Sequence, residues 1–393
     1  KAIRRQRQMC IRDSAMGRRV SPLCDPALKD SFLIDSFFVS NAVRRWVNQG
    51  YATTTPRFFG QVPQLFRDGT IPLDVAFINC SLPDSEGFVS FGVSADLTPS
   101  AVEKARIIVA QINPLMPFTY GDSVIHSSCI DAMVKVNDPL AETVDTPPTP
   151  EELAIGRAIA ELLPDGAVLQ VGVGAIPNAV LHSLKSHRHL GIHSEALTEG
   201  LMDLMEAGVV DNSLKQIERG RSVASLVLGT RRLYDFVDHN RDIVMRDIAW
   251  VNDPFIIAQN HNMAAINSCL EIDLSGQVCA DSIGTRIYSG VGGQHDFVYG
   301  SSRSTGGQSF IAMLSTTSKG QSKIRPVLTQ GAGVVTTRFQ TNWVVTEYGA
   351  VNLRGKNMIE RARLLISIAA PQFREELDRE AFNMLGYAYR RWR

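Results

Sequence analysis

The chain has 393 residues, in which 40 lysines and arginines are balanced by 40 aspartates and glutamates. This charge balance argues against a nucleic-acid or anionic-membrane binder, since such proteins carry a basic excess, and no apolar run approaches the ~20 residues of a membrane helix. The length exceeds that of one ordinary core, so two domains are expected.

Residues 1–19 differ in composition from the rest. They have one acid, Asp13, and seven basic residues, Lys1, Arg4, Arg5, Arg7, Arg12, Arg18 and Arg19. Transit peptides are also Arg-rich and acid-poor, but the apolar core of a secretory signal is absent. We predict a disordered or artefactual leader and exclude it from the fold.

Residues 20–144 are predicted to form a first domain of short helices and strands. A helix over 41–47 ends before Gly50, and a second helix begins with Thr98 as N-cap and Pro99 in its first turn. Apolar runs predict buried strands over 73–79 and 107–112. A turn-rich segment follows the first of these strands, so residues 88–93 are predicted as the second arm of a hairpin.

Residues 145–151 contain three prolines in a polar run and are predicted to be a linker. Residues 152–393 then form a second domain, with strands over 266–274, 310–314 and 343–346. Its last helix is predicted over 357–369, with Arg361 and Arg363 on the solvent side. The fold class is therefore α/β, with two open domains and mostly parallel sheets.

The segment 168–184 is the most informative. It is predicted to be a buried strand, a turn through Gly172 and Gly174, and a helix that opens at Pro177. The backbone amides of a glycine turn and of a helix N-terminus can bind an anion, or an oxygen that becomes anionic during a reaction. Glu195 follows at the end of another apolar run, and a carboxylate near such a turn suggests acyl transfer.

Five motifs in order extend this interpretation: GVGAIPNAV at 172–180, IHSEALTEGLMDLMEAG at 192–208, INSCLEIDLSGQV at 266–278, SIGTRIYSGVGGQHDFVYG at 282–300 and VTEYGAVNLRGK at 345–356. With them the chain, from about residue 37 onward, resembles the acetyl-CoA hydrolase/transferase group of class I CoA-transferases, nearest its 4-hydroxybutyrate branch. The fold this implies is related to that of sugar-phosphate isomerases. Family members begin with a further strand and helix, so the resemblance also implies a first domain truncated at its start.

The resemblance implies ping-pong transfer through a glutamyl-CoA thioester, with Glu195 as nucleophile. The backbone amides of Val173 and of Gly292 and Gly293 would stabilise the oxyanions, and Asn252 and Glu347 would support the nucleophile or the acceptor. Coenzyme A would be substrate and covalent intermediate, with no permanently bound cofactor.

Each of these residues also has a simpler interpretation. Glu195 could be an exposed carboxylate at a helix N-terminus, Asn252 a turn former, and Glu347 a partner for Arg354. Glu271 is the rival nucleophile, since it shares one face of an alternating strand with Asp273. A half-solvated strand explains that pair equally well.

CoA binding is expected to involve glycines and cations. The predicted contacts are Gly172, Gly174, Gly290, Gly331, Gly333, Lys323 and Lys356, with Arg325 and Arg338 also available. The family pattern leads us to expect arginine where this chain has Phe118, so acceptor preference inherited from the branch is insecure.

Other chemistries are disfavoured by the side chains present. No serine or cysteine in a recognisable nucleophile elbow accompanies His126 or His193. No pattern of further Asp, Cys or His ligands surrounds His182, His187 and His189. Structural roles are therefore predicted for these histidines, and no metal site is predicted. Six scattered cysteines without a CxxC pair fit a reducing, cytoplasmic location without disulfides.

The predicted function is CoA transfer between an acyl-CoA and a short-chain carboxylate, with acetate and butyrate or 4-hydroxybutyrate as the expected pair. Acyl-CoA hydrolysis by the same glutamate is the close alternative, and a non-catalytic small-ligand sensor is an alternative of another class. The resemblance implies a homodimer, and neither nucleic acid nor membrane is an expected partner.

Overall fold

The computed structural model describes residues 9–13 and 26–391. The thirteen α-helices of this part of the chain are α1 (Asn41–Asn48), α2 (Val62–Arg67), α3 (Thr98–Lys104), α4 (Pro150–Ala160), α5 (Ala175–Ser183), α6 (Glu199–Glu206), α7 (Arg231–Val237), α8 (Ile248–Val251), α9 (Pro254–Ile257), α10 (Gln294–Arg303), α11 (Met358–Ser367), α12 (Pro371–Leu385) and α13 (Tyr387–Arg391). None of these helices is long and apolar enough to cross a bilayer.

The strands of the first half are β1 (Met9–Asp13), β2 (Phe32–Ser36), β3 (Ala52–Thr54), β4 (Val75–Cys80), β5 (Phe88–Ser90), β6 (Ile107–Ile112), β7 (Val124–His126) and β8 (Ala132–Lys135). Those of the second half are β9 (Val168–Val171), β10 (Gly191–Ile192), β11 (Ala196–Thr198), β12 (Ser222–Ala224), β13 (Leu226–Leu228), β14 (Ile243–Met245), β15 (Met263–Ser268), β16 (Glu271–Asp273), β17 (Val278–Cys279), β18 (Ser282–Ile283), β19 (Arg286–Ile287), β20 (Gln308–Ala312), β21 (Ile324–Arg325), β22 (Trp343–Thr346) and β23 (Gly349–Asn352).

Two three-stranded parallel sheets organise the first half, in the orders β1-β2-β3 and β4-β6-β8. The predicted hairpin is wrong in its pairing. β5 joins β7 in an antiparallel pair, whereas β4 pairs in parallel with β6. Of the predicted leader, residues 9–13 form β1, and the other leader residues lie outside the described residues.

A six-stranded sheet organises the second half, in the order β10-β9-β15-β20-β22-β23. All of its pairs are parallel except β22 with β23. The predicted strand over 266–274 is two strands, β15 in this sheet and β16 in a smaller one. The α/β class with mostly parallel sheets is confirmed.

Helix boundaries follow their capping residues closely. α1 ends before Gly50, whose φ of 78° is the left-handed conformation typical of a helix end. α3 begins one residue earlier than predicted, because Leu97 and not Thr98 is its N-cap. The helix predicted over 357–369 is α11 (Met358–Ser367), capped by Asn357, but it is not the last helix, since α12 and α13 follow.

The Arg361 side chain in α11 is oriented differently from the prediction. Its guanidinium donates to the carbonyls of Ser275 and Arg338, at 3.1 and 2.7 Å. The side chain is thus turned toward the protein, and its predicted solvent position is wrong.

Candidate active site

Glu195 lies in the short link between β10 and β11, and two hydrogen bonds fix its main-chain carbonyl. Its carbonyl accepts hydrogen bonds from the amides of Ser225 and Leu226, both at 3.0 Å. The side chain is half-buried. The interpretation of Glu195 as an exposed carboxylate at a helix N-terminus is therefore wrong.

Two donors meet the carboxylate of Glu195. The side-chain amide of Asn252 donates to Oε2 at 3.0 Å, and the backbone amide of Gly293 also hydrogen-bonds to it. Burial, the largest cause, and the nearby charges of Asp296 and Asp96 together raise the pKa of Glu195 to about 7, against the two hydrogen bonds that lower it. The carboxyl group therefore changes charge near neutral pH.

The backbone of Gly293 lies so close to this carboxylate that no side chain fits between them. A Cβ atom there would lie 2.2 Å from Oε2 of Glu195 and 2.6 Å from Nδ2 of Asn252. Gly293 is also the N-cap of α10, so the free amides and partial positive charge of that helix start beside the Glu195 carboxylate. The predicted Gly292–Gly293 turn is thus placed at Glu195.

Asp296, in the first turn of α10, connects the site to the first half of the chain. Its Oδ2 accepts from the side-chain amide of Asn252 and from the backbone amide of Gly60, each at 3.3 Å. A Cβ on Gly60 would lie 2.7 Å from Cβ of Asn252. The amide of Asn252 is thereby shared between two carboxylates, those of Asp296 and Glu195.

Sequence reasoning missed Asp296, Gly60 and Asp96. Asp296 stands inside one of the quoted motifs, but an acid in the first turn of a helix is equally typical of a residue that complements the helix dipole. Asp96 is almost fully buried, and burial raises the pKa of its carboxyl group. Its effect on Glu195 depends on a contact between distant segments, for which the sequence has no local signal.

The predicted turn through Gly172 lies at the same edge of the sheet as Glu195. The amide of Gly172 donates to the carbonyl of Ile266 at 2.9 Å, and the amide of Val171 donates to Oγ of Ser194 at 3.4 Å. α5 begins at residue 175 rather than at Pro177. The role of the Val173 amide in binding an oxyanion stays a prediction.

Glu347 has a different partner from the one considered. Its two carboxylate oxygens accept from the amide and the hydroxyl of Ser315, at 2.8 and 2.6 Å. Both residues follow strands of the large sheet, β22 and β20. This arrangement places a fixed carboxylate at the carboxyl edge, where α/β sheets bind ligands.

The rival carboxylates have structural partners. Glu271 accepts from the amide and hydroxyl of Thr329, at 2.7 and 2.8 Å, and Asp273 accepts from both groups of Ser275. The exposed fractions of Glu271 and Asp273 are only 8% and 5%. The half-solvated strand predicted for them is wrong, and their hydrogen bonds define local turns and strand contacts.

The remaining predicted CoA contacts are dispersed. Gly290 packs against Phe38, while Gly331 and Gly333 pack against Thr285 and Asp281. Of the cations, Lys356 pairs with Glu360 at 3.4 Å, Arg338 donates to Gln277, Arg325 lies 3.5 Å from Glu271, and Lys323 is half-buried. Their contact with CoA stays a prediction.

The histidines considered earlier have structural surroundings. His193 is fully buried, with Nε2 2.8 Å from the carbonyl of Val251, and burial lowers its pKa to about 3. The ring of His126 contacts Ser128. Within residues 9–13 and 26–391, no three His, Cys, Asp or Glu side chains are grouped to hold a metal ion.

Phe118 is buried and stacked on His239, with the ring centroids 5.1 Å apart. The position where an arginine is expected from the family pattern therefore belongs to an aromatic contact in this chain. Because Phe118 carries no charge, this position offers no cation to bind an acceptor carboxylate.

Two family models together match more than half of the chain. The model of the acetyl-CoA hydrolase/transferase N-terminal domain matches residues 17–144, and that of the C-terminal domain matches residues 229–381. The chain is 47% identical to the 4-hydroxybutyrate coenzyme A transferase of Clostridium kluyveri, over 89% of this chain and 82% of that protein. It is 46% identical to the succinyl-CoA:acetate/propanoyl-CoA:succinate CoA transferase of Fasciola hepatica, over 90% of this chain and 75% of the relative.

Among solved structures, the 4-hydroxybutyrate CoA-transferase of Porphyromonas gingivalis superposes with a TM-score of 0.80 at 36% identity, over 96% of this chain and 94% of that one. The acetyl-CoA hydrolases of Candida albicans and Neurospora crassa match at only 28% and 24% identity, over 59% and 76% of this chain and 43% and 63% of those proteins. The relatives at 47% and 46% identity, which match over most of both chains, establish the family. The chain belongs to the acetyl-CoA hydrolase/transferase family.

Proposed function

We propose that this protein transfers CoA between an acyl-CoA and a short-chain carboxylate, with Glu195 as the covalent nucleophile. The observation that carries the proposal is the placement of the Glu195 carboxylate against the Asn252 side-chain amide and the Gly293 backbone amide. Both donors are positioned to follow the carboxyl group as it becomes an acyl carbonyl and then a tetrahedral oxyanion.

The proposed reaction has two matched halves. A Glu195 oxygen attacks the thioester carbon, the C–S bond breaks, and an acyl-glutamyl anhydride and CoA thiolate form. The thiolate attacks Cδ of Glu195 and releases the acyl group as a free carboxylate, which leaves a glutamyl-CoA thioester. An acceptor carboxylate reverses these steps and regenerates the Glu195 carboxylate.

Each tetrahedral intermediate needs fixed donors near the carbon under attack. At Cδ of Glu195, the Gly293 amide and the Asn252 amide serve this purpose. At the acyl carbon, the Val173 amide is the proposed donor, since its turn lies at the same edge of the sheet. One such donor typically contributes about 10²–10³ in rate.

The raised pKa of Glu195 suits this chemistry. A carboxylate that is poorly solvated in its charged form is a stronger nucleophile than one in water, and its neutral thioester is favoured by the same burial. The fixed carboxylate of Glu347 is proposed to orient the acceptor or the nucleophile. These roles require no bound cofactor, so coenzyme A is substrate and covalent intermediate only.

Transfer is preferred over hydrolysis because the two most similar relatives described above are named CoA transferases, at 47% and 46% identity. Acetate with butyrate or 4-hydroxybutyrate is the proposed substrate pair, in a homodimeric cytoplasmic enzyme. A non-catalytic sensor would have no need of a buried carboxylate between two donors.

The test is peptide mass spectrometry after incubation with acetyl-CoA and no acceptor. We expect a CoA-sized adduct on the Glu195 peptide, absent from the Glu195→Gln variant. An adduct on the Glu271 peptide would retain the chemistry and overturn the assignment of the nucleophile. No adduct on folded protein, or full turnover by Glu195→Gln, would overturn the covalent mechanism. Turnover measured with and without added acetate separates transfer from hydrolysis.

A further inference from the structure

His193 lies two residues before Glu195 and is completely buried. Its main chain is anchored to two neighbouring strands: its amide donates to the carbonyl of Leu169 in β9 at 3.0 Å, and it forms a parallel bridge with Val223 in β12. The link that carries Glu195 begins immediately after this anchored residue. The imidazole therefore has a fixed place relative to the start of that link.

The imidazole packs between the two helices that bring hydrogen-bond donors to Glu195. It is stacked on Trp250 of α8, with the ring centroids 5.5 Å apart, and it meets Phe297 of α10 edge to face at 6.1 Å. Asn252 is the C-cap of α8, and Gly293 is the N-cap of α10. One ring thus contacts both the helix that ends at the first donor and the helix that begins at the second.

A hydrogen bond joins this ring to the residue before Asn252. Nε2 of His193 lies 2.8 Å from the carbonyl oxygen of Val251. Because a carbonyl only accepts, Nε2 carries the proton, and Nδ1 of the neutral ring is then an acceptor. The side-chain amide of Asn260, 3.4 Å from Nδ1, is the matching donor. Since Val251 is fully buried, solvent cannot replace His193 as the partner of its carbonyl.

The ring adds no charge to the site. Burial, the largest cause, and the nearby charge of Lys215 together lower the pKa of His193 to about 3, against the hydrogen bond to Val251 that raises it. The ammonium of Lys215 donates to the carbonyl of Ile192, the residue before, at 2.7 Å. A neutral ring cannot stabilise the Glu195 carboxylate as a cation would, so its contribution is geometric.

We infer that His193 is a positioning residue for the proposed nucleophile: through the carbonyl of Val251 it holds the Asn252 amide at the Glu195 carboxylate. This role rests on the proposed function for the part that Glu195 plays, whereas the contacts of His193 are defined without it. A misplacement of about 1 Å can cost about 10² in rate. A donor held in place by one buried hydrogen bond is therefore sensitive to its loss.

A matched pair of substitutions separates the two ring nitrogens. The amide of His193→Gln reaches as far as Nε2 and still donates to Val251, whereas that of His193→Asn reaches only as far as Nδ1. We expect His193→Asn to lower kcat with acetyl-CoA by about 10- to 100-fold. Its acidic limb of kcat/KM should move to higher pH, because the Asn252 hydrogen bond lowers the pKa of Glu195. His193→Gln should restore both values.

His187→Asn is the control, since Nε2 of His187 lies 3.1 Å from a different carbonyl, that of Leu163. It should lower the melting temperature and leave kcat and the pH midpoint as they are. A purely structural His193 predicts the same behaviour for His193→Asn, and that result would overturn the inference. Equal losses of kcat in the asparagine and glutamine variants of His193 would overturn it too.

Two measurements need no turnover, so they still decide if the wild type is inactive and the proposed function fails by itself. Carbon-13 NMR of the Glu195 carboxyl group should give a higher pKa in His193→Asn than in wild type and His193→Gln, and equal values would contradict the role. If His193→Asn does not fold, nitrogen-15 NMR of the wild-type imidazole replaces it. The Nε2 proton should shift as Glu195 titrates near pH 7, and should not shift in Glu195→Gln. A proton on Nδ1, or a shift that ignores Glu195, overturns the inference.

Discussion

The backbone amide of Gly293 hydrogen-bonds to the carboxylate of Glu195, at a separation that leaves no room for a side chain between them. A Cβ atom on Gly293 would lie 2.2 Å from Oε2 of Glu195, well inside any permitted contact. Because α10 begins at the next residue, this contact also fixes the start of the helix relative to the Glu195 carboxylate. The absence of a side chain at Gly293 therefore allows its backbone amide to approach the Glu195 carboxylate this closely.

Replacing Gly293 with alanine should abolish most of the activity of a folded protein. The new methyl group must displace the Glu195 carboxylate or the Asn252 amide, and loss of one oxyanion donor typically costs about 10²–10³ in kcat. The measurement is kcat for acetyl-CoA together with the melting temperature. Gly208→Ala is the control, since Gly208 has a φ of 70° and open space around it. It should reduce stability through backbone strain without a comparable loss of kcat.

Substitution of Asn252 by alanine should reduce kcat by about 10²-fold and change the pH profile. The Asn252 hydrogen bond lowers the pKa of Glu195, so its removal raises that pKa further. Since the ionised carboxylate is the proposed nucleophile, the acidic limb of kcat/KM should move to higher pH. A profile that falls in amplitude but keeps its midpoint would contradict the electrostatic part of this role.

The sequence predicts best those helices and strands whose ends coincide with local signals such as turn-forming or polar residues. The boundaries of β6 and β22 are as predicted, because short β-branched runs are bounded by polar or turn-forming residues. The pairing of β5 with β7 could not be predicted in the same way. The two strands are separated by a helix and by β6, and their contact depends on how the first half packs.

The residues of the candidate site also fall into those that the sequence predicts and those that it does not. Glu195 and Gly293 could be assigned from ordered motifs, and Asn252 from its position in the family pattern; the structure brings the three together. Asp296 and Gly60 could not, because their hydrogen bond joins residues 236 positions apart. A side chain whose only role is to orient another has no local pattern of its own.

The Asp296→Asn variant should change the pH profile in the opposite direction to Asn252→Ala. The negative charge of Asp296 raises the pKa of Glu195, so its removal lowers that pKa and extends activity to lower pH. The maximum kcat should also fall, because Asn252 and the Gly60 amide lose a charged acceptor. kcat/KM measured between pH 5 and 9 checks both effects. Asp253→Asn, which alters the N-cap residue of α9, is the control and should not move the midpoint.

The wild-type enzyme should itself gain activity as the pH rises through about 7. In the proposed mechanism Glu195 attacks as a carboxylate, and its surroundings, burial above all, raise its pKa to about 7. The log of kcat/KM for acetyl-CoA should therefore rise with pH below that value and level off above it. A limb near pH 4.5, the ordinary value for glutamate, would show that the site does not perturb this group.

Glu195→Gln should make the folded protein more stable at pH 8 while removing its turnover. A carboxyl group whose pKa is higher in the folded state than in the unfolded state binds a proton more tightly when folded. In wild type, stability should therefore fall as pH rises from about 4.5 to 7, the range between the two pKa values. At 1.36 kcal/mol for each unit of pKa, the cost of the buried charge is on the order of 3 kcal/mol above pH 8. Glutamine has no such charge, so the unfolding free energies of variant and wild type should diverge with pH and approach each other near pH 5. Denaturant unfolding at both pH values measures this, and a difference independent of pH would mean that the carboxylate is not desolvated in the free enzyme.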